Sequence, residues 1–216
     1  MSINIENAKL LEIQKKLCDK YAVDFEKVKV LNSDLIALVE KGVKKKALEA
    51  IQHALSDIDR SMNYWREIFY LNFTEEIKQR PREKSLLALF LYLLLVEGIF
   101  SRIIQVITFM LMENDHDIYN PRRLEFVKSY EQLEKVDLFV KLQFIKKHGF
   151  DLLADSVDAN LRNNIAHLNL IVKADGNIFD KKTGKPITDL ELKMDRLGCM
   201  CTVTLAALGY SLKSHT

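Results

Sequence analysis

The sequence predicts a mostly α-helical protein with one small β-hairpin near residues 169–180 and a helical extension at its N-terminus. Three observations predict this class. Helix breakers are scarce, 7 Gly and 3 Pro in 216 residues, against an ordinary usage of roughly 7% and 5%. Leu, Ile, Lys and Glu recur at helical spacing through most of the chain, and all are good or tolerable helix formers. The period shortens to that of strands at a single place, "LNLIVKADGNIFD". With 48% hydrophobic residues, the chain is long enough to bury one substantial core.

Taken in order, residues 5–22 read as an amphipathic helix. Apolar positions then continue at helical spacing through Leu35, Leu38, Val39, Val43, Ala47, Ile51, Leu55 and Ile58. Asn32 or Ser33 would cap this segment, which is either one long helix or two broken near Gly42. Residues 1–80 therefore form the helical extension and 81–216 the main domain. The charged stretch "KQRPREKS" marks the boundary, and Pro81 suits a first helical position. Residues 82–113 are apolar nearly all round, which predicts burial on every side. The uninterrupted run Leu86–Val96 is eleven residues, broken by Glu97, Arg102 and Gln105. A membrane span needs about 20, so a central core helix, with no membrane, is expected.

Beyond it, "ENDHDIYNPRR" reads as a loop, followed by helices at 121–130, 131–147 and 151–168, with Gly149 as a stop between the last two. The hairpin centres on Asp175-Gly176, a pair that predicts a primed turn, and a second turn falls at "KTGKP". A closing helix over 189–212 would be capped by Thr188 or Asp189.

The charge balance, 32 basic against 30 acidic residues, excludes the overall basicity of a nucleic-acid coat protein. Basic clusters at 41–46, 78–84, 120–123 and 145–148 read as solvated faces that together could attract phosphate. Cys18, Cys199 and Cys201 have no framework spacing, so reduced thiols filling the core are expected. The charged N-terminus has no apolar signal region, which points to the cytoplasm. P-loop, dinucleotide, metalloprotease and zinc patterns are absent from the sequence, so no cofactor and no metal is expected. Asp115-His116-Asp117 reads as ordinary loop chemistry.

The chemistry-bearing stretch is "LRNNIAHLNL", residues 161–170. Asn163 and His167 lie four apart, on one helical face. Arg162 and His167 are five apart, roughly 140° round the axis at about 100° per residue. Either Arg162 reaches round with its long stem, or two copies of the helix face each other across a two-fold axis and gather both residue types round one cleft.

"LRNNIAH" resembles the signature of the HEPN domain superfamily, Arg, four to six residues, then His, often with a polar residue after the Arg. Arg162, Asn163 to Ala166 and His167 match it. The order of elements over residues 82–216 is similar too: an apolar central helix with "LLLVEGIFSRII", a helix ending in "KLQFIKKHG", the motif helix, a "DG" hairpin and a closing helix. One toxin subgroup has Tyr two residues after the His, where this chain has Asn169.

The resemblance implies a HEPN-like helical bundle and a metal-independent endoribonuclease that uses the RNA's own 2′-hydroxyl as nucleophile. It implies a toxin or defence effector, acting as a homodimer with a composite site and restrained by an antitoxin. His167 would be the general acid or base, since its ordinary pKa of about 6.5 suits that work. Arg162 would hold phosphate oxygens, and Asn163 or Asn164 would orient the His or donate to phosphate. Glu97, at the end of the apolar run, needs a partner, Arg162 or Arg102. The alternative is a non-catalytic helical module for dimerisation, protein binding or nucleotide binding.

Overall fold

The computed structural model describes residues 2–41, 45–71, 74–114 and 116–213. The protein is mostly helical, with two very small antiparallel sheets. Helices α1 (Ser2–Tyr21), α2 (Phe25–Glu40) and α3 (Lys45–Leu71) come first, followed by the single turn α4 (Glu75–Lys78). The apolar centre is one continuous helical rod: α5 (Pro81–Leu94), a π-helical turn (Leu95–Phe100) and α6 (Ser101–Glu113). A hairpin of β1 (Tyr119–Asn120) and β2 (Glu125–Phe126) follows, then α7 (Tyr130–Glu134), α8 (Leu138–Lys147), α9 (Asp151–Ala154) and α10 (Ala159–Ala166). Strands β3 (Leu170–Val172) and β4 (Ile178–Asp180) precede the closing helix α11 (Leu190–Lys213).

Helix α6 lies at the centre, and every residue from Ile103 to Leu111 is buried, Gln105 and Thr108 included. It packs on α8, α3 and α11, while α11 also packs on α1, α2 and the π-turn. Residues of the N-terminal extension (Cys18, Val28, Leu35, Ile51, Ile58) and of 81–216 share one hydrophobic core. By length and composition, the rod Pro81–Glu113 would also suit a membrane, but 56% of its most apolar stretch is buried inside the protein. That arrangement is compatible with a soluble protein.

Several boundaries differ from those the sequence suggests. Helix α2 begins at Phe25, with the Asp24 carboxylate accepting from the N–H groups of Glu26 and Lys27. Asn32 is therefore no cap. It is buried in mid-helix, where its amide donates to Gln14 Oε1 (2.6 Å), while the Gln14 amide donates to the Val203 carbonyl (3.0 Å). This buried polar latch joins α1, α2 and α11. Helix α2 ends at Glu40 and α3 begins at Lys45; the expected break near Gly42 lies outside the described residues. Burial on every side holds for α6 but not for α5, where Leu86 and Phe90 are exposed.

Residues 119–126 form a hairpin rather than the expected helix over 121–130. Pro121 and Leu124, which takes a positive φ of 55°, break the helical path. The segment 131–147 is two helices, separated at Lys135–Asp137. The predicted helix 151–168 is likewise split, because Asp158 starts a new helix by accepting from the Leu161 N–H at 2.9 Å. The β3–β4 hairpin falls where expected, but its turn is not primed. Ala174 and Asp175 keep ordinary φ, and Gly176 alone turns left-handed at 84°, as in a three-residue loop closed by a glycine bulge. A Cβ on Gly176 would come within 2.8 Å of the Pro81 carbonyl oxygen, so this glycine also permits the hairpin to sit on the start of α5.

Candidate active site

The motif helix α10 is fixed from three sides. Leu161 and Ile165 bury its inner face against α5. At its start, the Tyr92 hydroxyl of α5 accepts from the Asp158 N–H at 3.1 Å, and Lys193 of α11 donates to the Asp158 carboxylate at 2.7 Å. Burial pushes the Asp158 carboxyl up, but the Lys193 ammonium and the Leu161 N–H outweigh it and hold the group below the usual carboxylate range. Burial also pushes the Tyr92 phenol up to about 12, so it stays a neutral hydrogen-bonding group.

At its end, α10 closes with a Schellman motif. The Asn169 N–H donates to the Asn164 carbonyl (2.8 Å) and the Leu168 N–H to the Ile165 carbonyl (3.1 Å). The left-handed position that glycine usually fills is occupied by Leu168, at a φ of 53° and 82% exposed. A left-handed L-residue costs roughly 1–2 kcal/mol. His167 is the residue just before it, at the helix C-cap, and it is exposed.

Arg162 and His167 line one cavity of about 450 Å³ together with Asn163 and Asn164. A single protomer therefore brings the two ends of the motif to one space, despite their separation round the helix. His167 has left the regular helix, at φ −97° and ψ 9°, which alters the angle expected from helical spacing. Arg162 Nε donates to Glu97 Oε1, and Nη1 donates to Asn163 Oδ1 at 2.8 Å. Of the two partners open to Glu97 from the sequence, Arg162 is thus the one used. Arg102 instead pairs with Asp57 of α3 at 3.1 Å. Glu97 is not desolvated, since its side chain is 41% exposed. Asn164 donates to Asp180 Oδ2 at 2.7 Å, so it ties the motif helix to β4.

Glu97 owes its position to the π-helical turn, which inserts an extra residue into the helical path. Within it, Gly98 packs close to Leu94 and Ser61. Asp180 has a second role. Its Oδ1 accepts from the backbone N–H groups of Lys182 (2.9 Å) and Thr183 (2.7 Å), and these bonds, the Thr183 one foremost, lower its pKa. The resulting turn carries Lys182 to the site cavity, and the β1–β2 hairpin brings Arg122 to it. Arg122 pairs with Asp137 at 2.8 Å. Sequence reading gave Lys182 and Asp158 no role. The cap pattern of Asp158 ahead of "NLRNN" was the available signal for the latter; for Lys182 there was none.

The Glu97–Arg162 pair also lines a second, polar cavity of about 390 Å³. Lys141 of α8 faces it, only 2% exposed, and donates to Gln105 Oε1 at 3.2 Å. Burial brings its ammonium down to about 8, opposed by Glu134, Asp137 and Glu97. Cys18, Cys199 and Cys201 are buried, and burial raises each thiol, consistent with core filling. The His116 and His148 rings meet at a tilt of 47° with centroids 4.3 Å apart, while Asp115 lies outside the described residues.

No family model, no curated protein and no solved structure matches the chain.

Proposed function

We propose that this protein is a HEPN-type, metal-independent endoribonuclease, a cytoplasmic toxin or defence effector. The observation that carries the reading is the shared cavity of Arg162 and His167. In the proposed reaction the 2′-hydroxyl of a ribose attacks the adjacent phosphorus. The O2′–P bond forms, the P–O5′ bond breaks, and a 2′,3′-cyclic phosphate and a 5′-hydroxyl result. An imidazole takes the proton from the 2′-hydroxyl, and an acid gives one to the departing O5′. Arg162 stabilises the charge on the phosphoryl oxygens, through the guanidinium donors that Glu97 and Asn163 leave unused. Glu97 and Asn163 hold that side chain in place, and no metal takes part.

The reaction needs both a base and an acid, and His167 is the one imidazole among the described residues that line the cavity. A second copy facing the first would supply the other, which is the reason to propose a homodimer with a composite site. The exposed Leu168, beside His167, and Leu124, two residues from Arg122 and 77% exposed, give such a partner apolar surface near the cavity. An antitoxin would restrain the active dimer.

The test is RNA incubated in EDTA with the wild-type protein, Arg162→Ala and His167→Ala. Cleavage by the wild type alone supports the reading. Equal activity in all three, or loss of activity with the chelator, rejects it. One observation favours a non-catalytic helical module instead: Arg162 is already matched by Glu97 and Asn163. That reading predicts no RNA turnover and a loss of dimer mass in both variants.

A further inference from the structure

We infer that the Arg162–His167 cavity is built for single-stranded RNA, with Phe139 as the platform on which a nucleobase beside the scissile phosphate stacks. The inference rests on the ribonuclease reading of the same site. Phe139 is on α8, whose inward face buries Lys141, Leu142, Phe144 and Ile145. The Phe139 ring takes no part in that packing. It is 62% exposed and lines the cavity together with Arg162 and His167. A large apolar ring so exposed, inside a cavity whose polar lining is cationic or amide apart from the Asp137 carboxylate that Arg122 pairs, is costly unless something covers it.

The surroundings specify the chemistry of the cover. Arg122, paired with Asp137, and Lys182 line the same cavity, the first from the turn of the β1–β2 hairpin and the second from the Asp180 turn that follows β4. Lys182 has no carboxylate partner among the described residues. Cations that track a phosphate backbone, set beside an aromatic ring that takes a base, are the combination that binds single-stranded nucleic acid. A base can lie on Phe139 only if it has left its own stack, so paired RNA is excluded by geometry. The 2′-hydroxyl chemistry selects RNA over DNA for cleavage, but stacking itself does not require that hydroxyl.

The test is binding, separate from turnover. A short fluorescein-labelled 2′-O-methyl RNA, which lacks the attacking hydroxyl, is titrated by anisotropy against wild type, Phe139→Ala and Phe139→Trp. Dimer mass is checked by sedimentation. Stacking is worth about 1–3 kcal/mol per base, so Phe139→Ala should weaken binding about 5- to 150-fold at unchanged mass. Phe139→Trp should retain binding, and its fluorescence should be quenched on adding oligonucleotide, beyond any change in the wild-type Trp65 signal. The same RNA annealed to its complement should bind far more weakly.

Unchanged affinity in Phe139→Ala overturns the inference, as does a loss of affinity that tracks loss of dimer, or equal binding of duplex. Stacking without cleavage of ordinary RNA would defeat the nuclease reading and leave the base platform standing. Cleavage with an indifferent Phe139 would do the reverse, and absence of wild-type binding defeats both.

Discussion

Two charged side chains sit a short way apart beside the central rod, and the fold treats them in opposite ways. Arg162 is 31% exposed and directly paired with a carboxylate. Lys141 is nearly sealed, has a neutral Gln105 as its hydrogen-bond partner, and is held at about 8. A half-open ion pair contributes little to stability, because water screens it, so the Glu97–Arg162 geometry is better understood as aiming a side chain. A buried ammonium without a paired anion is a cost to stability. The difference teaches that position beside the site does not by itself make a charge functional. Arg162 keeps access to solvent, which Lys141 lacks.

The first way to break this comparison is at Arg162. Arg162→Ala should lower RNA cleavage by about 10²–10³-fold while leaving thermal stability within about 1 kcal/mol. If stability collapses instead, the pair is a structural element and the contrast with Lys141 fails. Rates and melting curves on the same preparations decide it.

The second is at Lys141. Its pKa in the fold is about 8 against the ordinary 10.5, so the unfolded chain holds this proton more tightly. Stability should therefore rise with pH between about 8 and 10.5, and the penalty should be fully present below 8. At about 1.4 kcal/mol per unit, the group accounts for roughly 3 kcal/mol. Lys141→Met should remove that rise, seen as the difference between wild-type and variant unfolding by urea across the window. Parallel pH profiles would show that Lys141 is not desolvated.

A neutral reference sharpens the contrast. The Gln14–Asn32 latch is as buried as Lys141 but carries no charge. Gln14→Leu should cost about 1–3 kcal/mol, because Asn32 loses its partner, and the cost should be the same at pH 7 and pH 10. A cost that changed across that range would mean the burial of polarity, not of charge, sets the pH response.

The smallest effect is expected at the strained end of the motif helix. Leu168→Gly relieves a left-handed side chain and should stabilise by about 1 kcal/mol. If His167 depends on that rigid turn for its placement, the more stable variant should cleave RNA more slowly.

What the sequence made legible follows the physics of each signal. Apolar periodicity reports burial, so the core helices and the β3–β4 hairpin could be read from it. The site was legible as a motif, Arg162 to His167, and Glu97 as a carboxylate in need of a partner. Its assembly was not. The π-helical turn that carries Glu97 has no residue signature in "LVEGIF". The hairpin at 119–126 was hidden because its strands are two residues each, too short to show alternation. Lys182 reaches the cavity only because Asp180 holds a turn with one oxygen and Asn164 with the other, a long-range contact that spacing cannot express. Phe139 looked like any helical apolar residue until its exposure placed it outside the core.

The central claim is that Arg162 and His167 perform 2′-hydroxyl chemistry without a metal, and the termini of the RNA fragments test it most directly. In EDTA, the account predicts products ending in a 2′,3′-cyclic phosphate with a 5′-hydroxyl on the downstream piece, and no cutting where a single 2′-deoxy residue replaces the attacking ribose. Products with a 5′-phosphate and a 3′-hydroxyl, or cleavage that persists at the 2′-deoxy position, would contradict it.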